Sequence, residues 1–170
     1  PPGQLQTQVW PPKNTIHVVY AHGVPVCAVL KRPGKDDLAG IDALNGGRTE
    51  EAVLKLDAAL QSDPLNEVIH YYLAAALKKT GEIARADSLL IQGLKLHPKY
   101  EPALLLLAKN ARERGDQHTA AVFCDRLIAA NPKYFSAYVM RAELYGETEL
   151  PKAREVLKTC LRISPGYKPA

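Results

Sequence analysis

Between residues 36 and 170 small and turn-forming residues return at a fixed interval. Alanines stand at Ala52, Ala86, Ala120 and Ala153, in steps of 34, 34 and 33 residues. A proline follows each by twelve residues, at Pro64, Pro98, Pro132 and Pro165, and a glycine precedes the first three by five, at Gly47, Gly81 and Gly115. Three columns in register at one period mark a repeated unit. The glycine lets the chain turn through positive φ where a first helix ends. The alanine lies on a second helix where two helices cross closely, so that a larger side chain would push them apart. The proline cannot continue that second helix. The pattern therefore predicts helices near residues 37–45, 49–62, 67–80, 83–96, 101–114, 117–130, 135–147 and 150–164. Asp36 or Asp37 is placed to cap the first and Asn66 the third. Pro102 and Pro151 fall in first turns, where the missing N–H costs nothing. The fourth unit has lost one residue and its glycine at the turn, so a tighter or distorted turn is expected around Glu147–Leu150.

The first 35 residues follow another pattern. Thr15–Tyr20 and Val24–Leu30 are rich in Val and Ile and are separated by Ala21-His22-Gly23. They read as a short β-hairpin or two extended segments, with Pro25 demoting the second to an edge strand. Two strands alone are marginal in water. This arm should lean on the helices, pair with another chain, or belong to a preceding domain. Pro11-Pro12 reads as stiff extended chain, and Pro33-Gly34 as the boundary. The domain reading is an arm over 1–35 and a helical domain over 36–170, with units near 36–64, 65–98, 99–132 and 133–165 and the start of a fifth at 166–170.

On these residues the sequence resembles the tetratricopeptide repeat (TPR) family, whose unit is about 34 residues long. The family's first-helix pattern of bulky, Leu, small and bulky is met loosely by His70, Leu73, Ala74 and Leu77, by Leu104, Leu107, Ala108 and Ala111, and by Tyr138, Arg141, Ala142 and Tyr145. Gly40 fills the small position of the first unit. The bulky second-helix position holds Leu56, Leu90, Cys124 and Leu157, and the later small one Ala59, Gly93, Leu127 and Cys160. The resemblance covers residues 36–170 and implies an all-α, right-handed α-α superhelix of about four helix pairs. It implies a binding scaffold, not a particular partner.

In the family the first helices line a concave groove. Carried onto this sequence, the groove is expected at Tyr71, Ala75, Lys78 and Lys79, then Leu105, Lys109, Arg112 and Glu113, then Val139, Glu143 and Glu147. Tyr71, Leu105 and Val139 would form an apolar row beside a basic band of Lys78, Lys79, Lys109 and Arg112. A peptide with apolar anchors and acidic residues would complement it. The Lys, Asn and Arg clamp that some family members use for the acidic tail of heat-shock chaperones is absent in this register. Asp37 and Ile41, then Tyr72, then Pro102 and Leu106 stand there.

Charge and cysteine change this picture little. Residues 1–35 hold Lys13, Lys31, Arg32 and Lys35 and no acid, which leaves 18 basic against 18 acidic residues in the repeats. Four dispersed charges are a weak footprint for nucleic acid. A hydrophobic fraction of 46% argues against disorder, and no apolar run reaches the roughly 20 residues of a membrane span. Cys27, Cys124 and Cys160 make no zinc pattern, and the last two fall on predicted core faces. They lean towards a reducing, cytoplasmic compartment. His17, His22 and Cys27 fit no metal-ligand spacing, and a structural role is the default for His70, His97 and His118. No nucleotide loop, nucleophile elbow or carboxylate pair is present, so neither enzyme activity nor a cofactor is expected. The leading expectation is an interaction scaffold or adaptor. The alternatives are an accessory segment of a larger enzyme, membrane glycosyltransferase or secretion-assembly component, and a chaperone for an apolar segment. Gly166-Tyr167-Lys168-Pro169-Ala170 reads like the opening of another unit, so a longer protein is expected. A helix face near Val156, Leu157 and Leu161 would then be exposed and able to pair with another copy as a homodimer.

Overall fold

Among the described residues eight helices form close to where the period places them. They are α1 (Lys35–Asn45), α2 (Thr49–Ser62), α3 (Glu67–Lys79), α4 (Ile83–Leu96), α5 (Glu101–Glu113), α6 (Gln117–Ala130), α7 (Phe135–Glu143) and α8 (Leu150–Ile163). The computed structural model describes residues 15–21, 24–31, 35–146 and 149–163. Thr15–Ala21 (β1) and Val24–Lys31 (β2) are laid antiparallel, with a register shift between Val19 and Tyr20. The fold is that of the helices. The reading of residues 166–170 as a further unit lies outside the described residues.

The turns within pairs follow from local chemistry. Gly81 has φ 88°, and around it Gly81 N–H bonds Lys78 C=O at 3.1 Å and Glu82 N–H bonds Leu77 C=O at 2.9 Å. This pair of bonds satisfies the last carbonyls of α3 and needs a left-handed residue, which glycine adopts without a Cβ clash. Gly47 and Gly115 repeat the geometry at φ 78° and 77°. Asn66 caps α3, its Oδ1 accepting from Val68 N–H at 3.1 Å and Ile69 N–H at 3.3 Å. Asp116 caps α6 in the same way through Thr119 N–H at 3.0 Å.

Two local expectations are corrected. α1 begins at Lys35, so Asp36 and Asp37 lie inside its first turn and not at the cap. α7 stops at Glu143 and not at 147. Its last bonds tighten to Tyr145 N–H to Ala142 C=O and Gly146 N–H to Glu143 C=O, and Gly146 takes φ 58°. The turn glycine of this unit is displaced, not lost; it stands seven residues before Ala153 where the others stand five before their alanines.

Packing runs from neighbour to neighbour. Each helix packs on the next, alternating within and between pairs. The column Ala52, Ala86 and Ala120 is fully buried, as are Leu56, Leu90 and Cys124 beside it. Leu73, Ala74, Leu77, Leu104, Leu107 and Ala108 supply the first-helix side of the core. Gly40 is there because nothing larger fits. A Cβ on it would lie 2.6 Å from Leu56 Cγ. Arg141 takes the place of Leu73 and Leu107 on α7. Its guanidinium lies 4.4 Å from the centre of the Tyr145 ring while Nε bonds Asp125 Oδ1 at 2.9 Å, so the apolar stem packs and the charge is still satisfied.

Candidate protein-interaction face

Of the first helices of each pair, α1, α3 and α5 share an environment that differs from that of their partners. α1 meets α3, and α3 meets α5, with a closeness that no even-numbered pair reaches. The expected groove residues sit on the odd-numbered helices, apart from Glu147, which lies outside the described residues. Tyr71, Leu105 and Val139 are half-buried, so each keeps an apolar edge open on a rigid helix. Leu105 packs against both hydrophobic clusters of the core and joins them.

The basic residues come together differently from the sequence reading. Lys78 Nζ bonds Glu113 Oε1 at 2.8 Å, and Arg112 Nη1 bonds Glu143 Oε2 at 2.8 Å. Two of the four cations are therefore neutralised from the next helix pair. Lys79 and Lys109 are exposed and have no ion pair among the described residues. Lys109 follows Lys78 by 31 residues, the spacing at which Glu143 follows Arg112. By repeat equivalence it stands where an acid would compensate Lys78. What the sequence showed as a four-residue basic band is a pair of inter-helix ion pairs, with Lys79 and Lys109 left as exposed cations.

Tyrosine is the feature that sequence reasoning undervalued. Tyr71 meets Tyr72 edge-on with ring centres 5.2 Å apart, and Tyr100 edge-on at 6.2 Å. Such geometry sets the positive ring edge against the negative face. Burial pushes the Tyr71 hydroxyl above the ordinary range, and the neighbouring Tyr72 and Tyr134 add to it. Burial does the same to Tyr100, reinforced by the Glu67 carboxylate, and to Tyr134, reinforced by Glu101. These phenols are neutral at any physiological pH, so the cluster offers apolar faces and hydroxyl donors. The signal was available. Tyr100 and Tyr134 lie one period apart in the turns before α5 and α7. Beside Tyr100 a pocket of about 450 Å³ is lined by Glu67, Leu96, His97, Pro98 and Lys99. His97 Nε2 lies 3.2 Å from the buried Glu67 Oε2 there.

The histidines and cysteines are accounted for by packing. His70 is buried with Nδ1 2.8 Å from Asn66 C=O, and Cys124 and Cys160 are buried thiols. Among the described residues no group of His, Cys, Asp or Glu is gathered to hold a metal ion. The side chains of His17, His22 and Cys27 lie outside the described residues. No described helix is long and apolar enough to cross a membrane.

Stacked helix pairs that touch only their neighbours, with half-buried aromatic and aliphatic residues on one set of helices, define a helical-repeat interaction module. The chain belongs to the tetratricopeptide repeat family. Two models of that repeat match it, over residues 43–109 and 102–134. No curated protein matches the sequence. Among solved structures, a crystal structure of MamA is similar with a TM-score of 0.70 at 20% identity, over 76% of this chain and 78% of that one. A tetratricopeptide repeat protein from Parabacteroides merdae is similar with a TM-score of 0.68 at 22% identity, over 76% of this chain and 52% of that one. A thermophilic TPR protein from Thermus thermophilus is similar with a TM-score of 0.57 at 21% identity, over 75% of this chain and 72% of that one. The likeness is one of fold.

Proposed function

We propose that this protein is an interaction scaffold that takes a peptide segment of its partner along the inner face of α1, α3, α5 and α7. The observation that carries this reading is the row Tyr71, Leu105 and Val139, half-buried on successive odd-numbered helices and widened by Tyr72, Tyr100 and Tyr134. In a curved stack the non-consecutive helices that approach one another most closely lie inside the curve, and here these are α1, α3 and α5. Aromatic residues held on rigid elements lose little entropy when they are covered, which makes them good anchors. The domain so used spans residues 36–170, and the arm over 1–35 precedes it in sequence.

The ligand is a segment with apolar or aromatic anchors and few acids. Lys78 and Arg112 are held by Glu113 and Glu143, and only Lys79 and Lys109 remain to meet a carboxylate. A random displayed peptide library tests this. Selected peptides should carry apolar anchors, and Tyr71→Ala should weaken them by about tenfold or more, as an aromatic anchor does. Lys109→Ala should cost less, and added salt should weaken binding only slightly. Selection of strongly acidic peptides that ignore Tyr71→Ala and Leu105→Ala but are lost with Lys79 and Lys109 would overturn the reading.

A further inference from the structure

The first and last described helix pairs carry complementary remnants of the contacts that join the pairs between them. On α8, Leu157 is 38% exposed and Leu161 48%, although the residues at the place of Leu157 in the preceding pairs, Leu56, Leu90 and Cys124, are fully buried. On α1, Leu38 is 38% exposed, where its equivalents Tyr72 and Leu106 are half-buried and Met140 is buried. In a solenoid an apolar edge of this kind is what a neighbouring pair covers.

The charges at these edges decide what fits. Inside the stack Asn110 on α5 bonds Asp87 on α4 at 2.7 Å, and Arg85 on α4 bonds Asp57 on α2 at 3.0 Å. Asp42 on α1 holds the place of Asn110, two periods earlier, and Arg154 follows Ala153 as Asp87 follows Ala86. Glu51 on α2 holds the place of Arg85, one period earlier, and Lys158 stands five residues after Ala153 as Asp57 stands five after Ala52. If the α1–α2 end of one copy were laid on the α7–α8 end of another as an ordinary next pair, both interior contacts would be rebuilt. Asp42 would meet Arg154, and Glu51 would meet Lys158. Each is an opposite-charge pair, with the apolar row of Leu157 and Leu161 beside Leu38. Asp42 and Arg154 are exposed and have no ion pair among the described residues, so they are free to make the seam. Glu51 and Lys158 would exchange exposed pairs within their own helices, with Arg48 and Lys55 and with Glu155, for the new one.

We infer that the chain associates head to tail with a second copy of itself, α1–α2 of one on α7–α8 of the next, through Asp42–Arg154 and Glu51–Lys158 around the exposed leucines. Such a contact uses two different surfaces, so it does not close on a pair and continues into an open filament. It stands apart from the peptide-binding reading, because none of its residues lies in the Tyr71–Leu105–Val139 row.

Sedimentation across a wide concentration range tests it. The weight-average mass should climb without levelling at a dimer. Asp42→Arg or Arg154→Asp should each return the chain to monomer, with helical circular dichroism unchanged because both side chains are exposed. The double variant should associate again, and so should a mixture of the two single variants, since every seam then forms between opposite charges. Peptide binding measured on the monomeric single variants keeps the two readings separable. A monomer at every concentration overturns the inference. So does a dimer that ignores Asp42→Arg yet is lost with Leu161→Glu, because that result means α8 pairs with α8.

Discussion

Asn110 on α5 is fully buried and donates from Nδ2 to Asp87 Oδ1 on α4 at 2.7 Å, which ties one helix pair to the next. The other Asp87 oxygen takes the Arg114 guanidinium from the end of α5. A buried amide in an alanine- and leucine-lined seam is tolerated only with a partner, so this contact fixes how the two pairs sit. Asp87→Ala should cost about 1–3 kcal/mol, the penalty for stranding a buried donor. Asp57→Ala, which removes the exposed partner of Arg85, should cost about 0–1 kcal/mol. Urea unfolding of both variants checks the contrast, and equal losses would show that Asn110 finds water instead.

Gly40 and Gly93 both lie where helices cross closely, but their surroundings differ. An added Cβ meets Leu56 Cγ at 2.6 Å in the first case and His70 Cβ at 3.2 Å in the second. Alanine gains about 1 kcal/mol over glycine in a helix interior, whereas overpacking costs about 1–3 kcal/mol. Gly40→Ala should be net destabilising, and Gly93→Ala close to neutral. Thermal unfolding of the pair decides it. A Gly40→Ala variant more stable than the parent would mean that α1 and α2 separate easily.

Truncation in the core should be far worse than change at the surface. Leu73 and Leu107 are buried on α3 and α5 at equivalent places. Each Leu→Ala change should cost about 2–5 kcal/mol by losing transfer energy and leaving a cavity. A double-mutant cycle on Lys78 and Glu113 should give less than about 1 kcal/mol, because the acid is largely exposed.

The Asn66 cap holds two otherwise unpaired amides of α3. Asn66→Ala should cost about 0.5–2 kcal/mol, while Asn66→Ser or Asn66→Asp should retain most of the stability. Chemical denaturation followed by circular dichroism reads the order of the variants. No difference between Ala and Asp would show that water satisfies those amides as well as the side chain does.

Burial pushes the Cys124 thiol up to about 11 from its ordinary 9.0, with the Asp125 charge adding to the shift. In the unfolded chain the thiol ionises near its ordinary value, while in the folded chain it keeps its proton. Above pH 9 the unfolded state therefore binds fewer protons, and stability must fall as pH rises towards 11. Tyr71 and Tyr134 are raised too and extend the fall at the upper end. Cys124→Ala should make the decline above pH 9 shallower. At neutral pH the thiol should react with thiol-specific reagents only on unfolding.

Much of the fold was legible because its signals are local. A glycine at positive φ, a proline that ends a helix and an asparagine cap each act within a few residues, so the helices begin and end close to where the columns place them. The misreadings fell where a local sign had two solutions. α7 closes early on Gly146, and Asp36 and Asp37 fall inside the first turn of α1.

The candidate site was legible only in outline. The period alone placed Tyr71, Leu105 and Val139 on equivalent first helices, because helix registry is fixed by short-range hydrogen bonding. It could not show that Lys78 would pair with Glu113 and Arg112 with Glu143, 35 and 31 residues on. Which of those partners a cation reaches depends on how one helix pair is rotated on the next. The sequence by itself determined the repeat, the helices and the buried columns. Only the tertiary structure decided which charges are spent, which tyrosines gather and which leucines are left uncovered, because these depend on distances between units that no local preference sets.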